Sequence, residues 1–231
     1  MSQQNFVHEP IDLGYDDLVT ESKSGKRMYV TPEGKRYPSV TTVLSVRSRE
    51  AIQKWRARVG EEEANRVSAF AASRGTRVHT MVERYLDNRD DYLEKSNHLT
   101  KLNFETMRPT LDKRVGRIVM QEVPLYSNHL GLAGRVDCVG EFDGKLSIID
   151  FKTASKPKNW KWIHNYFIQE TAYAIMFEER TGVPISRLVT IIVNDQEDEP
   201  QVFIEKRDRW INALFDTIEQ YHKEENGITI T

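Results

Sequence analysis

The stretch Gly134–Thr153, GRVDCVGEFDGKLSIIDFKT, decides the fold. Its central dipeptide, Asp143-Gly144, is typical of a two-residue turn that joins two antiparallel strands. Pairing across that turn sets Asp137 opposite Asp150. Two facing carboxylates repel each other unless a cation lies between them. The stretch therefore predicts a β-hairpin that carries a site for a hard divalent ion, Mg²⁺ or Mn²⁺.

Side chains alternate between the two faces of a strand, which places the polar groups of this hairpin. Asp150 and Lys152 share one face of the second strand. On the first strand, Val136 and Cys138 are expected on the face opposite to Asp137. A buried carboxylate beside a buried amine is costly unless the two are paired or bound to something. A partly buried salt bridge is the alternative interpretation of this Asp-x-Lys pair.

The rest of the chain predicts a mixed α/β fold. Residues 1–36 are expected to form a loose arm with a small hairpin, and residues 37–231 a single domain. Its first part, 37–115, has the periodicity of about three helices, and 116–231 forms the sheet core with C-terminal helices. Strands are predicted over 117–126, 133–142, 145–153, 187–194 and 201–205, and helices over 160–180 and 207–223.

Composition excludes several classes of protein. The 231 residues include one cysteine, which excludes a disulfide framework and a cysteine-rich metal centre and favours a reducing compartment, the cytoplasm. No apolar run approaches the length of a membrane span, and the first ten residues lack a targeting pattern. The net charge of −2 excludes a wholly basic nucleic-acid coat. No Walker loop or G-x-S-x-G motif is present, so neither a nucleotide cofactor nor a serine nucleophile is expected.

Two further short motifs carry polar groups at helical spacing. GTRVH, residues 75–79, is expected to open a helix at Gly75 and to place His79 on one of its faces. QETAY, residues 169–173, sets Gln169 and Tyr173 four residues apart on a later helix. Each motif alone is compatible with ordinary structural residues.

In this order, GTRVH, GRVD, DFK and QETAY resemble the PD-(D/E)XK nuclease superfamily in its RecB-type branch. The segment Tyr37–Leu44, YPSVTTVL, is similar to the mitochondrial genome maintenance exonuclease family and its phage relatives. The resemblance implies a restriction-endonuclease-like fold, a central mixed sheet flanked by helices, and an N-terminal helical region. It also implies hydrolysis of DNA that has a free end.

The resemblance assigns roles to individual residues. Asp137 and Asp150 would bind the metal, with His79 and the backbone carbonyl of Phe151 as further ligands. Lys152 would position and help deprotonate the attacking water. The remaining implied residues are Glu122, near a second metal or its waters, and Gln169 and Tyr173, which would brace the site or hold the DNA backbone.

A basic and aromatic segment follows the Asp-x-Lys strand and predicts a single-stranded DNA track. Its residues are Lys156, Lys158, Trp160, Lys161 and Trp162, and Ser39, Arg74 and Arg77 are further expected DNA contacts. The alternative is that the tryptophans start the next helix and pack inside. The helical part before the sheet is expected to arch over a threaded strand.

These observations predict a metal-dependent DNA exonuclease that prefers single strands. Two alternatives remain open at this point: a non-catalytic DNA-binding module on a nuclease fold, and a structure-specific endonuclease. The first alternative is disfavoured because Asp137, Asp150 and Lys152 are all present.

Overall fold

The computed structural model describes residues 5–23, 25–94 and 96–227, so residues 1–4 of the expected arm lie outside it. The described part begins with a small three-stranded sheet and three helices. Their bounds are β1 (Val19–Lys23), β2 (Lys26–Val30), β3 (Arg36–Pro38), α1 (Val40–Val59), α2 (Glu61–Leu86) and α3 (His98–Arg114). A five-stranded sheet and two helices follow: β4 (Val115–Ser127), β5 (Leu132–Phe142), β6 (Lys145–Ala154), α4 (His164–Thr181), β7 (Arg187–Asn194), β8 (Gln201–Lys206) and α5 (Ile211–Glu225).

The central sheet is mixed, which confirms the predicted α/β class. Its strand order is β4-β5-β6-β7-β8; β6 and β7 are parallel, and the other neighbours are antiparallel. The crossover from β6 to β7 runs through α4, as a parallel pair requires. One apolar cluster joins the sheet to α1, α4 and α5, and a second joins its other side to α2 and α3. Each face of the sheet is therefore covered by helices.

The hairpin of β5 and β6 has the predicted turn. Asp143 and Gly144 have φ angles of +50° and +70°, the left-handed values that this tight turn needs. The predicted register holds from Phe142–Lys145 to Cys138–Ile149. The ladder ends there, one residue short of the expected pair of aspartates. The two strands separate at the position where their carboxylates were expected to face each other.

Strict alternation holds along β6 but fails on β5. Ile148 packs in the α4-side cluster and Ile149 in the α2-side cluster, as expected. Val136 and Cys138 were expected on one face, yet Val136 packs on the α4 side and Cys138 on the α2 side. The β5 strand therefore changes faces at Asp137.

The helical part contains three helices, but their limits correct one expectation. Ser39 caps α1 because its Oγ accepts a hydrogen bond from Thr42 N at 3.0 Å. Helix α2 starts at Glu61, after Gly60, with three glutamates in its first turn. Gly75 is therefore in the middle of α2 and does not open a helix.

The N-terminal segment is packed against the domain, which corrects the expected loose arm. Phe6 and Leu18 are both 5% exposed. Phe6 N donates to Asn88 Oδ1 at 2.7 Å, and His8 bridges to Ile118 of β4. Among the described residues, no helix is long and apolar enough to cross a membrane.

Candidate active site

Three side chains from three different elements meet at one end of the sheet. They are His79 of α2, Glu122 of β4 and Asp137 of β5, with one ligand atom of each within 4.8 Å of the others. The closest contact of this triad that involves the imidazole joins His79 Nδ1 to Asp137 Oδ2 at 3.5 Å. One nitrogen and two carboxylates form a donor set that suits a divalent metal ion.

Glu122 reaches the triad through an unusual backbone conformation. Its φ is +51°, a left-handed value that glutamate adopts only when its surroundings enforce it. Glu122 lies between the paired residues Gln121–Cys138 and Val123–Val136, so by register it faces Asp137. Arg135 donates to the Glu122 carbonyl oxygen and supports this conformation. The kink and the change of face at Asp137 together turn both carboxylates toward α2.

The second expected aspartate, Asp150, is paired with a lysine beside the triad. Asp150 is 2% exposed and forms an ion pair with Lys152, whose Nζ is 2.5 Å from its Oδ2. Asp137 approaches the same strand differently, because its Oδ2 accepts a hydrogen bond from Phe151 N at 3.0 Å. Of the expected metal ligands, His79, Asp137 and Glu122 therefore come together in one cluster, and the ligand roles of Asp150 and of the Phe151 carbonyl stay predictions.

The carboxyl groups of the site repel one another, and the neighbouring positive charges offset this repulsion only in part. Burial, together with repulsion from Asp137 and Glu83, raises the pKa of Glu122 to about 8. Burial also raises the pKa of Asp150 to about 6, although the Lys152 charge opposes this. Burial would lower the pKa of Lys152, but the charges of Asp150 and Asp137 outweigh it and raise that pKa. A bound cation would relieve the repulsion among the carboxylates.

Helix α4 supplies the wall behind Asp150 and Lys152. Gln169 Nε2 donates to Asp150 Oδ1 at 3.4 Å, and the Tyr166 ring centroid lies 5.3 Å from Lys152 Nζ. Tyr173 is 3% exposed and packs on β5, where a Cβ at Gly134 would lie 2.9 Å from its ring. The buried contact favours the bracing role for Tyr173 over a contact with DNA, and both stay predictions.

Comparison with known proteins identifies the family that this site belongs to. Residues 45–229 match the PD-(D/E)XK nuclease superfamily.

The chain belongs to the PD-(D/E)XK nuclease superfamily.

Two curated relatives that this chain resembles carry the same name. Mitochondrial genome maintenance exonuclease 1 of Homo sapiens is 29% identical over 129 residues, 52% of this chain and 38% of that protein. The Xenopus tropicalis protein of the same name is 27% identical over 166 residues, 68% of this chain and 47% of that protein. The chain spans less than half the length of these curated relatives. The crystal structure of SSO0001 aligns with 74% of this chain and 70% of its own chain, at 14% identity and a TM-score of 0.37.

Two of the side chains that were expected to contact DNA are buried and form hydrogen bonds within the protein. Arg74 is 7% exposed, and its guanidinium donates to Asn103 Oδ1 at 2.9 Å, Ala154 O at 3.0 Å and the Asp195 carboxylate. Ser39 is 3% exposed and its hydroxyl caps α1. Neither side chain is free for a phosphate, which corrects both expectations.

The predicted single-strand track is partly structural. Trp160 Nε1 donates to Glu205 Oε1 at 2.7 Å, and its ring packs against Trp210 and Phe167, as the alternative interpretation expected. The other members remain at the surface: Lys156, Lys161 and Arg77 are exposed and Lys158 is half-buried. Trp162, beside them, is 76% exposed. A role for these residues in DNA binding stays a prediction.

An open cavity of about 480 Å³ gives solvent access to the triad. Its walls come from β2, α2, β4 and β5, and its residues include His79, Glu122, Asp137 and also Glu83, Arg27 and Arg135. Sequence reasoning missed the last two and Tyr166. Arg27 lies more than 40 residues before the first superfamily motif, and no pattern in the sequence links it to the site.

Proposed function

We propose that this nuclease is a metal-dependent DNA exonuclease that hydrolyses phosphodiester bonds from a free end of single-stranded DNA. The observation that carries the proposal is the pair of neighbouring groups at one end of the sheet. The triad His79–Glu122–Asp137 offers a metal site, and the Asp150–Lys152 pair offers an amine held by a buried carboxylate. Phosphodiester hydrolysis needs both kinds of group.

The residues of the site suit a hard divalent ion. His79, Glu122 and Asp137 would hold it, and we retain Asp150 and the Phe151 carbonyl as further ligands on the family resemblance. A bound ion supplies a hydroxide-like nucleophile at neutral pH and stabilises negative charge on the phosphate. Because two of the three ligands in the triad are carboxylates, we propose Mg²⁺ or Mn²⁺ as the ion.

We propose that Lys152 acts on the phosphate and on the attacking water. Its ammonium is held at 2.5 Å by Asp150 and covered on one side by the Tyr166 ring, so the amine has little freedom. A fixed positive charge stabilises the charge that develops on the phosphate oxygens. Gln169 holds the other oxygen of Asp150 and keeps the carboxylate in place.

Specificity for a free end of a single strand is supported by less direct observations. The curated relatives are named exonucleases, but this chain spans less than half their length. Helices α1 and α2 are joined by the single residue Gly60, and most residues on both sides of this junction are exposed. We propose that this helical hairpin, with Arg77, arches over a threaded strand. The exposed Lys156, Lys161 and Trp162 would contact the strand at the mouth of the site. A cytoplasmic location, in a bacterium or a phage-infected host, also stays a proposal.

The decisive experiment compares end-labelled linear single-stranded DNA with a closed circle of the same sequence. The wild-type nuclease is incubated with each in Mg²⁺, Mn²⁺ or EDTA, next to Lys152→Ala and the control Lys145→Ala. Lys145 is an exposed lysine at the other end of the same strand. We expect mononucleotides or short products from the linear DNA alone, none in EDTA, wild-type rates for Lys145→Ala and a loss of at least 1,000-fold for Lys152→Ala.

Other outcomes point to the alternatives. Cleavage of the circle at the same rate indicates an endonuclease and contradicts threading from an end. DNA binding without hydrolysis in either metal ion indicates a non-catalytic DNA-binding module. Hydrolysis that survives Lys152→Ala unchanged removes the assignment of this site.

A further inference from the structure

One positively charged side chain lines the cavity beside the triad but has no role in the proposed hydrolysis. Arg27 of β2 lines the cavity together with His79, Glu122 and Asp137. Its side chain is exposed, and among residues 5–23, 25–94 and 96–227 it has no hydrogen bond or ion pair. A guanidinium without a partner, beside a metal site, is available for an anion.

The second arginine on the same wall differs from Arg27 in this respect. Arg135 is held by the Asp17 carboxylate at 2.6 Å and by the Glu122 carbonyl oxygen. It therefore supports the backbone kink at Glu122 and has no comparable freedom. Arg27 is the cavity arginine whose charge is not matched by a carboxylate within the described residues.

The backbone around Arg27 is firmly anchored. Ser39 N donates to the Arg27 carbonyl oxygen at 3.0 Å, which ties β2 to the start of α1. Alternation puts the Arg27 side chain on the same face of β2 as Tyr29, which is 3% exposed and packs against Tyr126 and Ala133. The buried Tyr29 fixes the direction of that face, so Arg27 is presented to the cavity by a rigid element.

Another part of the cavity lining carries little side-chain bulk. It is formed by one face of α2, where Gly75 has no side chain and a Cβ there would meet only Thr153 Oγ1, at 3.9 Å. The Thr80 hydroxyl lies five residues further along the helix and has no hydrogen-bond partner among the described residues. A phosphate group between Arg27 and this face would lie beside the triad.

We propose that Arg27 binds a phosphate of the DNA strand adjacent to the bond that is hydrolysed. The proposal rests on the proposed nuclease function and adds a phosphate subsite to it. A guanidinium can bind two phosphate oxygens at once, which fixes the strand in position as well as attracting it. The three-stranded sheet that carries Arg27 precedes residue 45, where the match to the superfamily begins, so this subsite is an addition to the matched region.

The test measures binding of a single-stranded oligonucleotide in Ca²⁺, by fluorescence anisotropy at several salt concentrations, for wild type, Arg27→Ala, Arg27→Lys and Arg36→Ala. Arg36 is the matched control because it lies in the same small sheet and pairs with Glu21 on the surface. We expect about 10-fold weaker binding for Arg27→Ala. The slope of log K against log salt should fall by about 0.7, the value for one phosphate contact on a single strand. Arg36→Ala should match wild type, and Arg27→Lys should fall between.

A second arm identifies the phosphate. Oligonucleotides carrying one neutral methylphosphonate linkage at successive positions, with and without a terminal phosphate, are compared on wild type and Arg27→Ala. One position should weaken wild type and leave Arg27→Ala unchanged. Sensitivity to the terminal phosphate alone would place that phosphate, not an internal one, at Arg27.

Distinct results would overturn the proposal. If Arg27→Ala binds DNA with wild-type affinity and slope, the subsite is wrong, while hydrolysis that depends on Lys152 would leave the nuclease function intact. If Arg27 only offsets the carboxylates, Arg27→Ala should bind Mn²⁺ more tightly and leave the DNA slope unchanged. Absence of both DNA binding and hydrolysis in wild type would remove the proposed function and the subsite together. Melting temperatures, expected to be equal for wild type and Arg27→Ala, exclude unfolding as the cause of a loss.

Discussion

Glu122 faces Asp137 across the β4–β5 ladder, and both carboxylates turn toward the imidazole of His79. The left-handed backbone of Glu122 is what brings the two acids to the same side of the sheet. Without a cation this arrangement is electrostatically unfavourable, because burial and repulsion both disfavour the ionised form of Glu122. The free energy of folding should therefore depend on pH and on metal ions.

The metal-free nuclease should lose stability as the pH rises from about 4.5 to about 8. The folded-state pKa of Glu122 is about 8 against an ordinary value of 4.5, so the unfolded chain releases this proton first. The stability contributed by Glu122 is fully present below pH 4.5 and is lost as the pH rises through about 8. We expect about 2 kcal/mol from this half-buried group once screening by solvent is allowed for, or about 4–8 °C in melting temperature in EDTA.

The substitution Glu122→Gln separates the effect of this residue from that of the other carboxyl groups whose pKa is raised. It should flatten the pH dependence and raise the melting temperature in EDTA at pH 8, whereas Glu62→Gln, a change at an exposed helix residue, should alter neither. Addition of Mn²⁺ at pH 8 should stabilise wild type more than Glu122→Gln. An unchanged pH profile in Glu122→Gln would contradict the assignment of the repulsion to this residue.

Metal binding and hydrolysis should separate between two variants. His79→Ala removes the nitrogen donor of the triad and should weaken Mn²⁺ binding at least about 10-fold, as measured by titration calorimetry. Lys152→Met keeps the triad and should bind Mn²⁺ normally while losing hydrolysis. The exposed His98 provides the control, since His98→Ala should preserve both properties. Equal loss of metal affinity in His98→Ala would mean that the triad is not the binding site.

Arg74 should prove to be a structural residue. Arg74→Met removes the donors to Asn103, which is 2% exposed, and to the Ala154 carbonyl oxygen. Buried acceptors without partners are costly, so we expect a loss of about 2–4 kcal/mol in the free energy of unfolding in urea. Arg77→Ala, three residues along the same helix and exposed, should leave stability unchanged. If Arg74→Met instead keeps its stability and weakens DNA binding, the side chain contacts DNA after all.

Two glycines of the site should respond in opposite directions to alanine. At Gly134 a Cβ would lie 2.9 Å from the ring of Tyr173, so Gly134→Ala should cost about 1–3 kcal/mol and disturb the brace behind Asp137. At Gly75 the nearest atom is 3.9 Å away in the interior of α2, so Gly75→Ala should stabilise by about 0.5–1 kcal/mol. Urea unfolding of the two variants measures both. Destabilisation by Gly75→Ala would mean that the helix surface is closer to β6 than the structure shows.

The sequence predicted the elements that depend on local signals. The Asp143-Gly144 turn fixes the register of β5 and β6, because only a two-residue turn with positive φ angles fits there. Ser39 also carries a local signal, because a serine just before Val40, Val43 and Leu44 at helical spacing is typical of a helix cap. Strand limits were within three residues because alternation and turn residues mark them locally.

The parts that failed depend on the tertiary structure. Nothing local marks the positive φ of Glu122 or the change of face at Asp137, because neither Gly nor a turn signal stands at these positions. The burial of Arg74 depends on α3 and on Asp195, which are distant in sequence. Gly75 was expected to open a helix but lies inside α2, whose start at Glu61 follows Gly60.

Cys138 is the one thiol of the chain. It lies completely buried next to Asp137, and this burial raises the pKa of the thiol. A thiol reagent can therefore react only when the β4–β5–β6 region opens. The rate at which Cys138 is modified therefore measures local opening of the sheet beside the candidate active site, and no engineered label is needed. Slower modification in Mn²⁺ than in EDTA would show that the ion holds the strands together.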